Sequence, residues 1–212
     1  MLYEKNQIQQ AIHFYDNNGF CAISNIFEEK YLNKIKYFLE NNPNISMDQS
    51  TSSETNDLVY LDPIFMELAF SSQVIEIAKQ FLKNNEIELQ HSKANIKYAK
   101  NEGRVDPHQD WPFFPHSNFD LIAVGVHLDG SSRKNGGVQY YPKTHFEVLD
   151  HFSDSEFKYR CSVPKNSSPT MLECPPGSIS VHHCLTLHKS EALKTNINRR
   201  LLIFQYRSIF NR

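Results

Sequence analysis

Two hydrophobic rhythms divide the chain. Over residues 5–17, Ile8, Ala11, Ile12 and Tyr15 recur at helical spacing, and Asn17-Asn18-Gly19 supplies a stop. Phe20-Cys21-Ala22-Ile23-Ser24 then reads as a short apolar strand. A second helix is expected over residues 28–41, with Tyr31, Ile35, Phe38 and Leu39 on one side. Residues 42–58, rich in Asn, Ser and Thr, read as a surface loop. A third helical stretch runs over residues 62–84 and carries Ile64, Phe65, Leu68, Ala69, Val74, Ile77, Ala78 and Phe81.

After residue 86 the period shortens. Runs at 87–98, 121–129, 137–142, 170–173, 178–183 and 199–207 are bounded by Gly, Pro and Asn, the rhythm of a β-sandwich or small barrel. Asn135-Gly136-Gly137 and Pro175-Pro176-Gly177 are strong turn signals. Leu201-Leu202-Ile203-Phe204 is apolar on both faces, so its strand is expected to be covered on both sides. Helices first and strands afterwards give an α+β, mainly β chain. One domain over residues 1–212 is expected, helix-rich over 1–85, with a β core over about 86–212.

Composition narrows the function classes. Charged residues make up 22% of the chain and the formal net charge is −2, so there is no electrostatic footprint for nucleic acid or an anionic membrane. No run approaches the roughly 20 apolar residues of a spanning helix, and the first residues lack the apolar stretch of a signal peptide. Cys21, Cys161, Cys174 and Cys184 are scattered without a CxxC, which suits reduced thiols and a cytoplasmic protein. Ten His residues are the excess that matters.

The most informative stretch is Asp106-Pro107-His108-Gln109-Asp110-Trp111-Pro112-Phe113-Phe114-Pro115-His116. In extended backbone, residues two apart share a face, so His108 and Asp110 can present an imidazole and a carboxylate to one point. A remote His would complete a two-His, one-carboxylate triad, which leaves positions open on Fe(II). Spacing alone does not choose, because His127-Leu128-Asp129 matches equally well. In the C-terminal block, a strand entering a turn at His188 brings a second imidazole, Ser190 a hydroxyl, and Arg199 a charged fork suited to a carboxylate. Arg200 beside it points the other way.

With these motifs in order, the sequence resembles the phytanoyl-CoA dioxygenase family of Fe(II)/2-oxoglutarate oxygenases, which also includes ectoine hydroxylase. The resemblance runs through Asn18-Gly19-Phe20, His108-Gln109-Asp110, Leu128-Asp129, Asn135-Gly136-Gly137, Pro142-Lys143-Thr144-His145 and Pro176-Gly177, up to His188-Lys189-Ser190. It implies a double-stranded β-helix (a jelly-roll, cupin-like barrel) with the N-terminal helices packed outside. It selects His108 and Asp110 over the pair at His127, and makes His188 the distal iron ligand. The family's Arg lies eleven residues past that His, and 188 + 11 gives Arg199 as the 2-oxoglutarate anchor. Asn95 and, more weakly, Lys97 follow as cosubstrate residues. Trp111, Phe114 and His116 fall on the substrate side, with His91 a further candidate.

Implied with them are Fe(II), 2-oxoglutarate and O2, and hydroxylation of a small metabolite or natural-product intermediate with release of succinate and CO2. The chain departs from the family pattern where Lys143 and Lys189 replace glycines, which predicts an altered rim around a retained site. Asp110 is kept, which favours hydroxylation over halogenation. Two alternatives stand beside this reading: a catalytically silent jelly roll that binds a metal or small acid, and a zinc hydrolase built on His182, His183 and His188. The identity of the substrate and the oligomeric state are not readable from the residues.

Overall fold

A computed structural model describes residues 1–45, 53–99, 103–153 and 160–212. Among the described residues, helices α1 (Ile8–Asn18), α2 (Glu29–Asn41), α3 (Pro63–Ala69) and α4 (Ser72–Leu82) precede most of the strands. The stretch expected as one helix over 62–84 is two. Asp62 caps α3 by accepting from the Ile64 amide, and the chain leaves helical geometry at Ser71, which is extended, before α4 begins. The Ser71 hydroxyl donates to the Leu68 carbonyl (2.8 Å), which also accepts from the Ser71 amide (3.2 Å), so the last turn of α3 closes on itself.

Among the described residues, the strands follow the chain as β1 (Leu2–Tyr3), β2 (Phe20–Ile23), β3 (Ser53–Asn56), β4 (Ile87–Lys97), β5 (Val105–His108), β6 (Leu121–His127), β7 (Val138–Tyr140), β8 (His151–Phe152), β9 (Arg160–Cys161), β10 (Thr170–Met171), β11 (Ile179–His183), β12 (His188–Ser190) and β13 (Arg199–Ser208). A seven-stranded sheet runs β1-β2-β11-β6-β13-β4-β3, a four-stranded sheet runs β10-β7-β12-β5, and β8 pairs with β9. Every pairing except β1 with β2 is antiparallel. The fold is a jelly roll with helices against the outer face of its larger sheet.

Side-chain alternation along the large sheet sorts core from site. On β13, Leu202, Phe204 and Tyr206 join the core beneath the helices, whereas Arg199, Leu201 and Ile203 face the space between the sheets. On β11, Ile179 and Val181 face the helices, while Ser180 and His182 face inward. The same split on β4 turns His91, Lys93, Asn95 and Lys97 inward. Leu201 to Phe204 are buried on both sides, as their composition requires.

A further expectation changes. The surface loop expected over 42–58 contains β3, whose residues extend the large sheet by pairing with Lys93 to Ile96. Its sequence Ser-Glu-Thr-Asn carries no apolar signal because an edge strand is held by backbone hydrogen bonds. The strands β1 to β3 also show that the helix-rich first part of the chain contributes to the same sheet as the later β core.

Candidate active site

A cavity of about 520 Å³ opens between the two sheets. At one end of it, β5 and β12 pair so that His108 stands directly opposite His188. β5 stops at His108, and Asp110 is not in extended backbone: it is helical and leads into a 3-10 turn at Trp111–Phe113. The turn still brings Asp110 to the same side as His108. Gln109 between them is fully buried and points away, its amide donating to the carbonyls of Leu185 (2.6 Å) and Glu147 (2.9 Å) and accepting from the Leu149 amide (3.0 Å). The Asp110 and Trp111 amides both donate to the Cys184 carbonyl. His188 opens β12 after a turn at residues 184–187, the reverse of the expected strand-then-turn order.

His108, Asp110 and His188 converge, with one donor atom from each within 4.8 Å of the others. The Nδ1 of His108 donates to the Asp106 carbonyl (2.8 Å) and that of His188 to the Thr186 carbonyl (2.9 Å). Both imidazoles therefore turn an Nε2 lone pair inward. Those atoms lie 3.6 and 3.7 Å from Oδ1 of Asp110, too far for hydrogen bonds. Burial, foremost, lowers both imidazole pKa values and keeps the rings neutral. At Asp110 burial acts to raise the pKa, but the hydrogen bond that His182 donates favours the ionised form, and the carboxyl is held well below its usual range. Two neutral imidazole lone pairs and a carboxylate oxygen facing one another repel unless a cation lies among them, and this donor set suits a divalent iron.

At the other end of the cavity Arg199 opens β13 and is 3% exposed. One guanidinium nitrogen donates to the Gly136 carbonyl (3.2 Å), and its Nε has no partner among the described residues. Arg200 faces the opposite side, where Asp129 takes it bidentately (2.6 and 2.7 Å) and Glu40 completes the group. Asp129 also holds Lys36 at 3.0 Å, so the second His-x-Asp pair belongs to a structural ion network, while His127 bonds Ser180 at 2.9 Å. Lys97 lies beside Arg199 and donates to the Glu191 carbonyl. Burial, and then the neighbouring guanidinium, lower its pKa to about 7. Asn95 and Ser190 line the same end. A buried guanidinium without a carboxylate, next to a lysine, fits an anionic ligand.

The remaining expectations divide. His91 and Phe114 line the cavity with ring centroids 5.1 Å apart, and Phe113 joins them. Trp111 does not: it packs with Leu121, Cys184 and Leu185, its ring 5.4 Å from Phe119. The 3-10 turn rotates it away from Asp110 into that cluster. His116 lies against the Arg207 guanidinium, away from the cavity lining. His183 faces out of the sheet toward His145, so the three-His alternative is not assembled. Lys189 sits at the rim, 2.6 Å from Glu191, in ordinary strand geometry, and Lys143 takes the left-handed backbone (φ 68°) that glycine would occupy without strain. Sequence reasoning passed over Tyr140 and Gln205. Gln205 carries a visible signal, a polar residue between the buried Phe204 and Tyr206.

The phytanoyl-CoA dioxygenase (PhyH) family model matches residues 15–201. The chain belongs to that family. A relative named "probable alpha-ketoglutarate-dependent hypophosphite dioxygenase", from Stutzerimonas stutzeri, is 33% identical over 160 residues, covering 71% of this chain and 55% of the relative. A Caenorhabditis elegans homologue of phytanoyl-CoA dioxygenase domain-containing protein 1 is 25% identical over 198 residues, covering 84% of this chain and 68% of the relative. The crystal structure of the epimerase SnoN in complex with Fe3+, alpha-ketoglutarate and nogalamycin RO superposes with a TM-score of 0.83 at 15% identity, over 97% of this chain and 85% of that one. This likeness shows that the PhyH chain shares the jelly-roll fold of SnoN. Among the described residues, no helix is long and apolar enough to cross a membrane.

Proposed function

We propose that this PhyH-family chain is a single-domain Fe(II)- and 2-oxoglutarate-dependent oxygenase that hydroxylates a small organic molecule in the cytoplasm. The observation that carries the reading is the pairing of two unsatisfied groups in one cavity: the inward Nε2 lone pairs of His108 and His188 around Asp110 Oδ1, and the buried Arg199 guanidinium without a carboxylate. In this reading His108, Asp110 and His188 hold the iron. Arg199, with Ser190, Asn95 and Lys97, holds the distal carboxylate of 2-oxoglutarate. An iron held by these residues would supply the oxygen chemistry that couples decarboxylation of 2-oxoglutarate, to succinate and CO2, with oxidation of the substrate by O2.

The chain's own residues orient and enclose. Leu201, Ile203 and Val138 form the apolar wall along the cosubstrate, so that its charged end meets Arg199 in a low-dielectric setting. Phe113, Phe114 and His91 cover the outer side, exclude water and leave room for a compact substrate beside the cosubstrate in about 520 Å³. The four buried thiols support the cytoplasmic setting. Retention of the Asp110 carboxylate supports oxygen transfer over halogenation.

Anaerobic titration of Fe(II) and 2-oxoglutarate into the metal-free protein tests the reading. A weak visible band from the chelated keto acid is expected, followed in air by succinate release. An Asp110→Ala protein should fold and lose both. A folded Asp110→Ala variant with wild-type succinate formation would refute the assignment, and absence of turnover with intact ligand binding would favour the silent jelly roll.

A further inference from the structure

The two sheets contribute unequally to the metal centre. His108 and His188 come from β5 and β12 of the four-stranded sheet, and Asp110 follows β5. The seven-stranded sheet reaches the centre through two donors: Nε2 of His182 on β11 and Nε2 of Gln205 on β13, each 3.1 Å from Asp110 Oδ2. Both hydrogen bonds of the carboxylate thus go to one oxygen, and its other oxygen, Oδ1, faces the two imidazoles. We infer that His182 and Gln205 are positioning residues, which engage Oδ2 so that Oδ1 alone is left for the metal, and that Tyr140 sets the tautomer of His182 on which this depends. The inference rests on the metal reading proposed above.

Hydrogen-bond polarity supports each part. A carboxylate only accepts, so His182 must carry a proton on Nε2, and in the neutral ring this leaves Nδ1 as an acceptor. The Tyr140 hydroxyl, 3.2 Å from that Nδ1, is the donor which makes this tautomer the satisfied one. Beside them, Ser180 Oγ on the same strand as His182 is 2.9 Å from His127 Nε2. These donors sit in a buried setting, where His127, Ser180, Tyr140 and His182 are each 5% exposed or less. The Gln205 amide has its orientation dictated the same way. Its Oε1 is buried without a partner, yet the reverse orientation would press that oxygen against the carboxylate. An amide that leaves one end unsatisfied to keep the other on Asp110 is held there by the carboxylate.

The test reads metal binding, not turnover. Co(II), stable in air, is titrated into wild-type, His182→Phe, His182→Gln, Tyr140→Phe and Gln205→Leu proteins, following affinity and the visible Co(II) spectrum, with circular dichroism and melting to confirm folding. His182→Phe keeps the ring volume but no donor, and it should weaken Co(II) by about 10- to 100-fold and change the spectrum. His182→Gln restores a side-chain N–H and should recover most of the affinity, which a purely structural role of the ring would not do. Gln205→Leu should weaken Co(II) independently, and it carries the test if His182→Phe does not fold. Tyr140→Phe should weaken it less than His182→Phe. Folded His182→Phe or Gln205→Leu proteins that bind Co(II) as the wild type does, with its spectrum, would overturn the inference and leave the metal reading standing. A wild-type chain that does not bind Co(II) would overturn both.

Discussion

Lys97 carries the clearest pH signature at the scale of one residue. It is 3% exposed, and burial, then Arg199, take its pKa from 10.5 down to about 7, with Glu191 acting the other way. Between pH 7 and 10.5 the unfolded chain therefore holds a proton that the folded chain has lost, so this group makes the ligand-free protein more stable as pH rises through that window. Binding of a dianion has the opposite sign. It favours the protonated amine, so 2-oxoglutarate affinity should fall as pH rises above 7, approaching about tenfold per pH unit, with proton uptake on binding. Calorimetry of the metal-loaded protein over pH 6–9, in buffers of different ionisation enthalpy, reads both effects. Lys97→Met should bind more weakly at pH 6 and show a flatter profile. A wild-type affinity independent of pH over this range would separate Lys97 from the carboxylate.

Between elements, the junction of α1 with the turn before β12 links the helical layer to the candidate site. Gly19 ends α1 with φ 86°, and its carbonyl accepts from the Thr186 hydroxyl (2.7 Å) and the His183 amide (2.9 Å). A Cβ there would lie 2.5 Å from Thr186 Oγ1 and 2.8 Å from the His145 ring. Gly19→Ala combines left-handed strain with that contact, at a cost of about 2–3 kcal/mol, or a melting temperature roughly 4–12 °C lower. Because the Thr186 carbonyl holds His188 Nδ1, the same variant should bind Co(II) more weakly. An unchanged melting temperature would show that the junction relaxes freely. The helix stop at Asn17-Asn18-Gly19 was legible in the sequence, but its service to a turn 167 positions away was not.

For the molecule as a whole, the unsatisfied charges predict a trade between stability and binding. Arg199 is buried without a carboxylate, and such a charge costs the empty fold. Arg199→Met should be at least as stable as wild type without ligands. Metal and 2-oxoglutarate at about 100 times their dissociation constants each add about 2.7 kcal/mol to the wild type, a rise of roughly 5–11 °C per ligand. The variant should keep the rise with Co(II) and lose the rise with 2-oxoglutarate, as scanning calorimetry would show. A full 2-oxoglutarate response in Arg199→Met would place the carboxylate elsewhere in the cavity.

Local chemistry and periodicity determined most of the elements, and the resemblance to a family pattern singled out the candidate ligands. The strands at 87–97, 121–127, 179–183 and 199–208 announce themselves as short runs bounded by turn residues. His108, Asp110, His188 and Arg199 were legible because their residue types and spacing match a family pattern. Tertiary structure decided what depends on partners distant in sequence. It made β3 a strand through backbone pairing with β4, and it broke the helix at Ser71 where the chain bends around the core. It turned Trp111 into a hydrophobic cluster, because Asp110 enters a 3-10 turn where extended backbone was expected. It also set His182 and Gln205 on one oxygen of Asp110 across 72 and 95 positions of sequence. Spacing records what one strand can present to one face, whereas a hydrogen bond between sheets exists only once the sheets have packed.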